Sequence, residues 1–594
     1  MRPTTTLASL FLPAALAAST LALLPSAPAG AAVTPSCSST RLTDVPAGYE
    51  VSDLDISGDG TAVAFATLAD LGQGASGNAE VYTVDTTSGA ITPVTATVGA
   101  TQDSIRPDLD HDGDTIALLS EASLVNANVE GDAEVYRGTL VGGTWGFERI
   151  TTTPGAADNR APAISADGST IVYQSRQDGS FDNADLNHEV FRWIAGDGTA
   201  QITTSTDDVG VPAQQVDLDL ADDGYHVYWT STAPDGQGDA TNTSRLVRAD
   251  SYGITDDQEE APAATRPTFA PSAGRDRWSV AFVSAANLGP GAGSNPDGNA
   301  ELWLRTEREP LGSWTDPLTS TSAAGDDENG APSLNDPGSV VAFETTAPAL
   351  SGADSDFPSV VRQAGTGGTT VLDGPADAAR LPTTSAIGHV IAYLGIDDGA
   401  GGDGSADVYV ARCRTFTDVG TGHTFWEDVE WAASEGITTG YDDGTYRPAG
   451  SVTRGAMAAF MYRLMDRIDL DPDVTQTFSD VGPNHPFYEE VEWLYDFGVL
   501  LGYPDGTFRP GAAVTRQSMA SFLYRLAGAP AGPFLSDFSD VSTNHPFAVP
   551  ISWMADAGIS EGYADGTFRP ASDVSRQAMS AFLRRFDDAG LTNT

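Results

Sequence analysis

Lysine does not occur anywhere in the 594 residues, so all 30 basic side chains are arginine, set against 82 acids for a formal charge of −52. A surface this negative repels nucleic acid and anionic lipid and attracts cations. Residues 33–415 hold 57 acids and 18 arginines while 416–594 hold 25 and 11, so most of the field belongs to the first region. Apolar runs of spanning length are missing after about the first 30 residues, which leaves no further candidate for a membrane helix. No Gly-x-Ser-x-Gly elbow and no His-Glu-x-x-His occurs, which removes two common marks of hydrolytic chemistry. Only two cysteines are present, Cys37 and Cys413, and of the seven histidines His111, His188, His226 and His389 are scattered.

What is abundant is glycine, at 63 residues, with 36 prolines, in a chain long enough for at least two cores. Met1 to Ala32 reads as a secretory signal peptide: Arg2, a short apolar stretch from Leu7 to Leu24, and the small residues Ala29-Gly30-Ala31 at the cleavage site. With that leader removed, no membrane contact is expected. The missing lysine also points to a GC-rich, actinobacterial source.

One pattern recurs at intervals of about 50 to 65 residues through 45–412: an Asp-Gly turn, an apolar strand, a loop, and an acidic residue opening another strand. Seven second strands are legible, among them Ala62-Val63-Ala64-Phe65, Ile171-Val172-Tyr173-Gln174 and Val390-Ile391-Ala392-Tyr393. Third strands start at Glu80, Glu134, Glu189, Arg245, Glu301, Ser359 and Asp407. Short four-stranded units repeated in this way predict an all-β, seven-bladed propeller over 33–413. These residues resemble TolB-like propeller repeats.

The seventh unit runs out at Arg412 without a fourth strand, whereas Arg41-Leu42-Thr43 matches the fourth strand Arg149-Ile150-Thr151. The mature N-terminus is therefore expected to complete the last blade. Cys37 and Cys413 then meet at the end of an antiparallel pair, and an exported chain can form that disulfide.

Asp108-Leu109-Asp110-His111-Asp112-Gly113 has the start of a calcium loop, but Leu119 stands where its Glu should be. It aligns with the ordinary blade turns and is read as structural. The acidic loops Asp182 to Asn187 and Asn287 to Glu301 offer ligands of the kind Ca²⁺ takes, without the spacing of a defined site. No other cofactor is indicated.

From residue 416 the period becomes about 60 residues and the pattern helical. Phe-x-Asp-Val opens each repeat at Phe416, Phe478 and Phe538, followed by His423, His485 and His545. A helix comes next, with the stripe Phe425/Val429/Ala432 and its counterparts. The loop Gly440 to Pro448 recurs at 502–510 and 562–570, and Thr453-Arg454, Thr515-Arg516 and Ser575-Arg576 open second helices. These three helix-loop-helix units, 416–470, 478–530 and 538–586 within a mostly α domain 414–594, resemble S-layer homology repeats. The resemblance implies non-covalent anchoring to secondary cell-wall polysaccharide, often through a pyruvylated sugar, about a pseudo-threefold axis.

Thr453, Thr515 and Ser575 are N-cap residues, which puts Arg454, Arg516 and Arg576 at the first helical position. A cation there opposes the helix dipole unless an anion lies between the guanidinium and free backbone N–H groups. A pyruvate-ketal carboxylate is such an anion, and arginine offers it a two-pronged donor. The alternative is an internal ion pair with Asp443, Asp505 or Asp565. Ala456, Ser518 and Ala578 replace the Glu of a capping box, a departure from the family pattern. Trp431, Trp493 and Trp553 fall off the core line, placed either to stack on sugar or to pack against the next repeat. Arg447, Arg509 and Arg569, before proline, are read as solvated or paired with acids.

The function expected from these resemblances is a wall-anchored surface protein displaying its propeller to an extracellular ligand. An anchored hydrolase or lyase with a propeller active site, and a structural S-layer component, are the other two classes.

Overall fold

The computed structural model describes residues 36–592 apart from 73–76, 98–101, 126–131, 153–157, 178–186, 204–214, 221–223, 225, 232–244, 251–260, 263, 270–276, 285–298, 309–311, 322–328, 336–337, 352–357, 365–368, 373–377, 397–404, 442, 466–475 and 535–537. The signal-peptide reading and most of the two acidic loops lie outside the described residues.

Residues 36–414 form seven four-stranded antiparallel sheets. The second strands are largely buried, Thr115–Ser120 and Thr170–Ser175 fully so, which is what their unbroken apolar and β-branched runs require. Gly60, Gly113 and Gly168 take φ of 73°, 70° and 66° in the turns that feed them, a region glycine enters without strain. The first strands of successive sheets adjoin one another, and the first strand of the first sheet, Val51–Ile56, also adjoins that of the seventh, Ala378–Thr384. Carboxylates stitch neighbours together: Asp55 accepts the Leu109 N–H and Asp108 the Ile164 N–H. Asp108 thus serves the sheets, as does Asp110, which accepts the Thr115 N–H within its own turn.

The seventh sheet takes its outer strand from the other end of the described chain. Ser36–Arg41 pairs antiparallel with Ala406–Arg414, with Cys37 opposite Cys413 and the two joined as a disulfide. A recurring contact shows how closely this strand imitates the others. Glu80, Glu134, Glu189 and Glu301 accept hydrogen bonds from the threonines Thr95, Thr151, Thr203 and Thr319. The same hydroxyls accept the N–H of Val81, Val135, Val190 and Leu302. In the seventh sheet Asp407 and Thr43 take these places, with the Val408 N–H. Asp407 also accepts the Val45 N–H and pairs with Arg41, so its buried charge is compensated.

Six helices follow in three pairs, Trp426–Ser434 with Arg454–Leu464, Tyr488–Asp496 with Arg516–Leu526, and Ala548–Asp556 with Arg576–Asp588. Val452, Val514 and Val574 close a ring of backbone bonds: the Val452 N–H donates to Val574, Val574 to Val514, and Val514 to Val452, at 2.8–2.9 Å. Around this axis each second helix packs on the first helix of another repeat, and Arg576–Asp588 returns to Trp426–Ser434.

The sheets and the helices share apolar packing. Phe416, Val419, Trp426 and Val429 join a buried cluster with Val390, Val408 and Phe65. The Trp426 ring meets His389 edge-on at 4.4 Å, and Glu430 accepts the Thr415 N–H and hydroxyl.

Candidate functional site

The repeated motifs of the helical region resolve into three equivalent grooves, each built from two repeats. The Phe of Phe-x-Asp-Val packs so tightly on the loop glycine that a Cβ at Gly440, Gly502 or Gly562 would lie 2.3–2.4 Å from a ring carbon. The Asp of the same motif grips the loop by two backbone N–H groups. Asp418 accepts those of Tyr446 and Arg447, Asp480 those of Phe508 and Arg509, and Asp540 those of Phe568 and Arg569, at 2.7–2.8 Å. Under that grip Arg447, Arg509 and Arg569 take φ of 57–61°, a left-handed conformation uncommon for such side chains. His423, His485 and His545 accept the N–H of Phe425, Phe487 and Phe547 through Nδ1, which fixes the start of each first helix.

Each second-helix arginine reaches into another repeat's loop. The Arg454 Nε donates to the Phe508 carbonyl at 2.8 Å, Arg516 to Phe568 at 2.7 Å and Arg576 to Tyr446 at 2.7 Å. All three are buried. A tyrosine lies between this arginine and the loop arginine: Tyr503 has Arg454 at 5.2 Å and Arg509 at 3.8 Å. Tyr563 sits likewise between Arg516 at 5.0 Å and Arg569 at 3.8 Å, and Tyr441 between Arg576 at 4.9 Å and Arg447 at 3.9 Å.

Asp443, Asp505 and Asp565 pair with Arg447, Arg509 and Arg569 rather than with the helix arginines. Hydrogen bonds from Thr445, Thr507 and Thr567, then from these arginines, hold the three carboxyls down at about 2. Arg454, Arg516 and Arg576 therefore have no carboxylate within ion-pair distance among the described residues. Burial pushes the Arg454 and Arg516 guanidinium groups below their ordinary value.

One expectation from the sequence fails. The N–H groups at the helix starts are not free: Arg454 and Gly455 donate to Ala512 and Pro510, Arg516 and Gln517 to Ser572 and Pro570, and Arg576 and Gln577 to Gly450 and Pro448. Thr453 and Ser575 cap the Ala456 and Ala578 N–H, whereas the Thr515 hydroxyl meets Ser518 instead. An anion at these sites would be held by guanidinium and tyrosine, without help from the helix dipole's own donors. Two of the tryptophans, Trp493 and Trp553, pack between repeats. Trp493 meets Tyr462 at 5.6 Å, Trp553 meets Tyr524 at 5.5 Å, and Trp431 and Trp553 are buried. The groove tyrosines went unremarked in the sequence, although the repeated Gly-Tyr that opens every loop marks them.

Among the described residues no cluster of three or more His, Cys, Asp or Glu is arranged to hold a metal. No described helix is long and apolar enough to cross a membrane.

A β-rich region of seven sheets is thus followed by three arginine-lined helical repeats. The family model for the S-layer homology domain matches residues 415–458, 477–520 and 537–580, so the helical region consists of three such domains. Over 173 residues the chain is 28% identical to a cellulosome-anchoring protein of Acetivibrio thermocellus, covering 28% of this chain and 35% of that protein. Over 182 residues it is 27% identical to an S-layer protein of Bacillus thuringiensis subsp. finitimus, covering 30% and 22%. The chain thus spans about a third or less of these relatives. Of solved structures, the β-propeller domain of the Trilobed protease from Pyrococcus furiosus aligns at 10% identity and a TM-score of 0.37, covering 61% of this chain and 95% of that one. The domains shared with these relatives make this chain a secreted cell-surface protein.

Proposed function

We propose that residues 414–594 anchor the protein to an acidic secondary cell-wall polysaccharide, and that residues 33–413 form a closed seven-bladed propeller displayed as an extracellular binding module. The seven sheets in sequence, with the first strand of the first against that of the seventh, support the closed ring. The observation that carries the anchoring is the trio of buried arginines with no carboxylate within ion-pair distance among the described residues. A buried guanidinium without a counter-charge is costly, and a carboxylate on the sugar, such as a pyruvate ketal, supplies one. Tyr441, Tyr503 and Tyr563 give the sugar ring a flat apolar face beside each charge.

Sedimentation with purified cell walls tests this reading. The full chain is expected to pellet with native walls and to stay in solution with walls stripped of ketals by mild acid. A variant with Arg454, Arg516 and Arg576 all changed to Met is expected to lose the binding. Equal pelleting with both wall preparations rejects the ketal carboxylate, and pelleting of the triple variant like the parent rejects the arginine sites.

A further inference from the structure

The apolar packing between sheets and helices encloses polar groups that the fold itself does not ask for. His389 follows the turn glycine of the seventh sheet and lies edge-on to Trp426 of the first helix, ring centres 4.4 Å apart. In four other sheets the same place holds Thr61, Asp114, Ser169 and Ser339, none of them buried. The turn therefore requires no histidine. His389 is 1% exposed, and among the described residues neither ring nitrogen has a hydrogen-bond partner. A phenyl ring would fill the space without leaving polar atoms unsatisfied.

Three cations face His389 from three elements: Arg362 from Ser359–Ala364, Arg412 from Ala406–Arg414 and Arg584 from Arg576–Asp588. Burial, then these guanidinium groups, favours the neutral imidazole and drops it to about 3. Glu430 enters the seam from the helix side, equally buried, and faces Arg362. It takes the Thr415 donors but has no cation within ion-pair distance among the described residues, and burial pushes its carboxyl up to about 7. The other charges at the seam are Glu427 and Asp428, 3.6 and 3.9 Å from Arg584, Asp85 facing Arg412, and Asp588 facing His111. Burial holds Asp428 and Asp588 up as well.

Separating the sheets from the helices would expose both groups and return them to ordinary behaviour. A freed imidazole binds a proton near pH 6.5, so His389 favours the closed seam above that value and ceases to as pH falls toward 3. A freed carboxyl loses its proton near pH 4.5, so Glu430 favours the closed seam below that value and ceases to as pH rises toward 7. Each contribution changes the closed-to-open ratio by up to about tenfold per pH unit, and between 4.5 and 6.5 the two run in opposite directions. We infer that the seam is a proton-balanced joint: the proton that His389 takes up on opening is matched by the one that Glu430 gives up, so the β region stays seated on the helices through mildly acidic conditions. Either residue alone would make a joint that opens with acid or with base. The inference is independent of what the helical repeats bind.

The test is hydroxyl-radical footprinting of the full chain at pH 4.5 and 6.5, reading oxidation of Trp426, which the closed seam buries. Trp303 in the fifth sheet and Trp553 in the third repeat, both buried away from His389, serve as internal references. Relative to them, Trp426 oxidation in the parent is expected to change by less than about threefold between the two pH values. In Glu430→Gln it should rise by at least about tenfold at the lower pH, and in His389→Phe fall by at least about tenfold. The double variant should be flat again. Asp428 and Asp588 are present throughout and drop out of the comparison with the parent. A tenfold change in the parent, single variants that match it, or slopes of the same sign in both overturn the balance. Oxidation of Trp303 and Trp553 in step with Trp426 overturns it too, because the regions would then be unfolding instead of separating.

Discussion

Asp480 holds two backbone donors, Phe508 N–H and Arg509 N–H, each at 2.7 Å, and the second belongs to a residue at φ 61°. Asp480→Ala removes both acceptors at once. The Phe508 bond is partly buried and charge-assisted, worth about 2 kcal/mol, and the exposed Arg509 bond about 1 kcal/mol, so the loop should lose about 3 kcal/mol. With the clamp gone, only the exposed side-chain contacts of Arg509 with Asp505 and Tyr503 oppose its left-handed strain, and the loop relaxes away from Arg454. Hydrogen exchange over 502–510 is the appropriate measurement, since a chain with separate cores does not unfold as one unit. Protection of the Phe508 and Arg509 amides should fall by about two orders of magnitude, while 440–448 and 562–570, clamped by Asp418 and Asp540, keep theirs. Asp480→Asn, which keeps one carbonyl acceptor, should fall about halfway. If exchange in 502–510 is unchanged in the alanine variant, the clamp does not hold the groove.

Replacing Cys37 and Cys413 together by Ser removes a cross-link spanning 376 residues, for which the chain-entropy model gives an upper figure of about 6 kcal/mol. The variant should melt earlier by calorimetry, and reductant should lower the parent's transition and leave the variant's alone; coincident melting in all cases refutes the stabilising role. Burial pushes the Glu430 carboxyl up to about 7 from an ordinary value near 4.5. A raised acid favours the folded state most below the ordinary value and loses that contribution as pH rises through 7, about 3 kcal/mol in all. Calorimetry at pH 5 and pH 8 should therefore show a drop in the parent that is smaller in Glu430→Gln, and matching drops would remove Glu430 as the cause.

Strand-level organisation was largely readable because blade chemistry is local. The acid that opens a third strand and the threonine of the fourth recur in sequence, so Arg41-Leu42-Thr43 could be recognised as a displaced fourth strand by its match to Arg149-Ile150-Thr151. The arginine corners were readable for the same reason: Thr453 and Ser575 cap their helices as their residue types dictate. What escaped was set between repeats. The donors of Arg454 and Gly455 are taken by Ala512 and Pro510, some 57 residues along, and no local pattern announces a bond made around a threefold axis. Asp443 could have met either of two arginines by composition alone, and the left-handed turn at Arg447 decides which. His389, one more scattered histidine in the sequence, lies buried against Trp426 where the two regions meet, and burial drops its imidazole to about 3.

The strand Ala406–Arg414 lies between two neighbours, Val390–Ile396 and Ser36–Arg41, and leads directly into the first helical repeat. If the helical repeats are held fast and the β region is pulled away, the covalent path for that tension runs through this one strand, beside the apolar packing the two regions share. Hydrogen bonds lie across that pull on both flanks, so they are sheared together instead of peeled one by one. The covalent tie between Cys37 and Cys413 sits at the end where peeling would have to begin. An outer strand borrowed from the far end of the chain thereby becomes a tether guard, placing the toughest joint of the β region where mechanical load enters it.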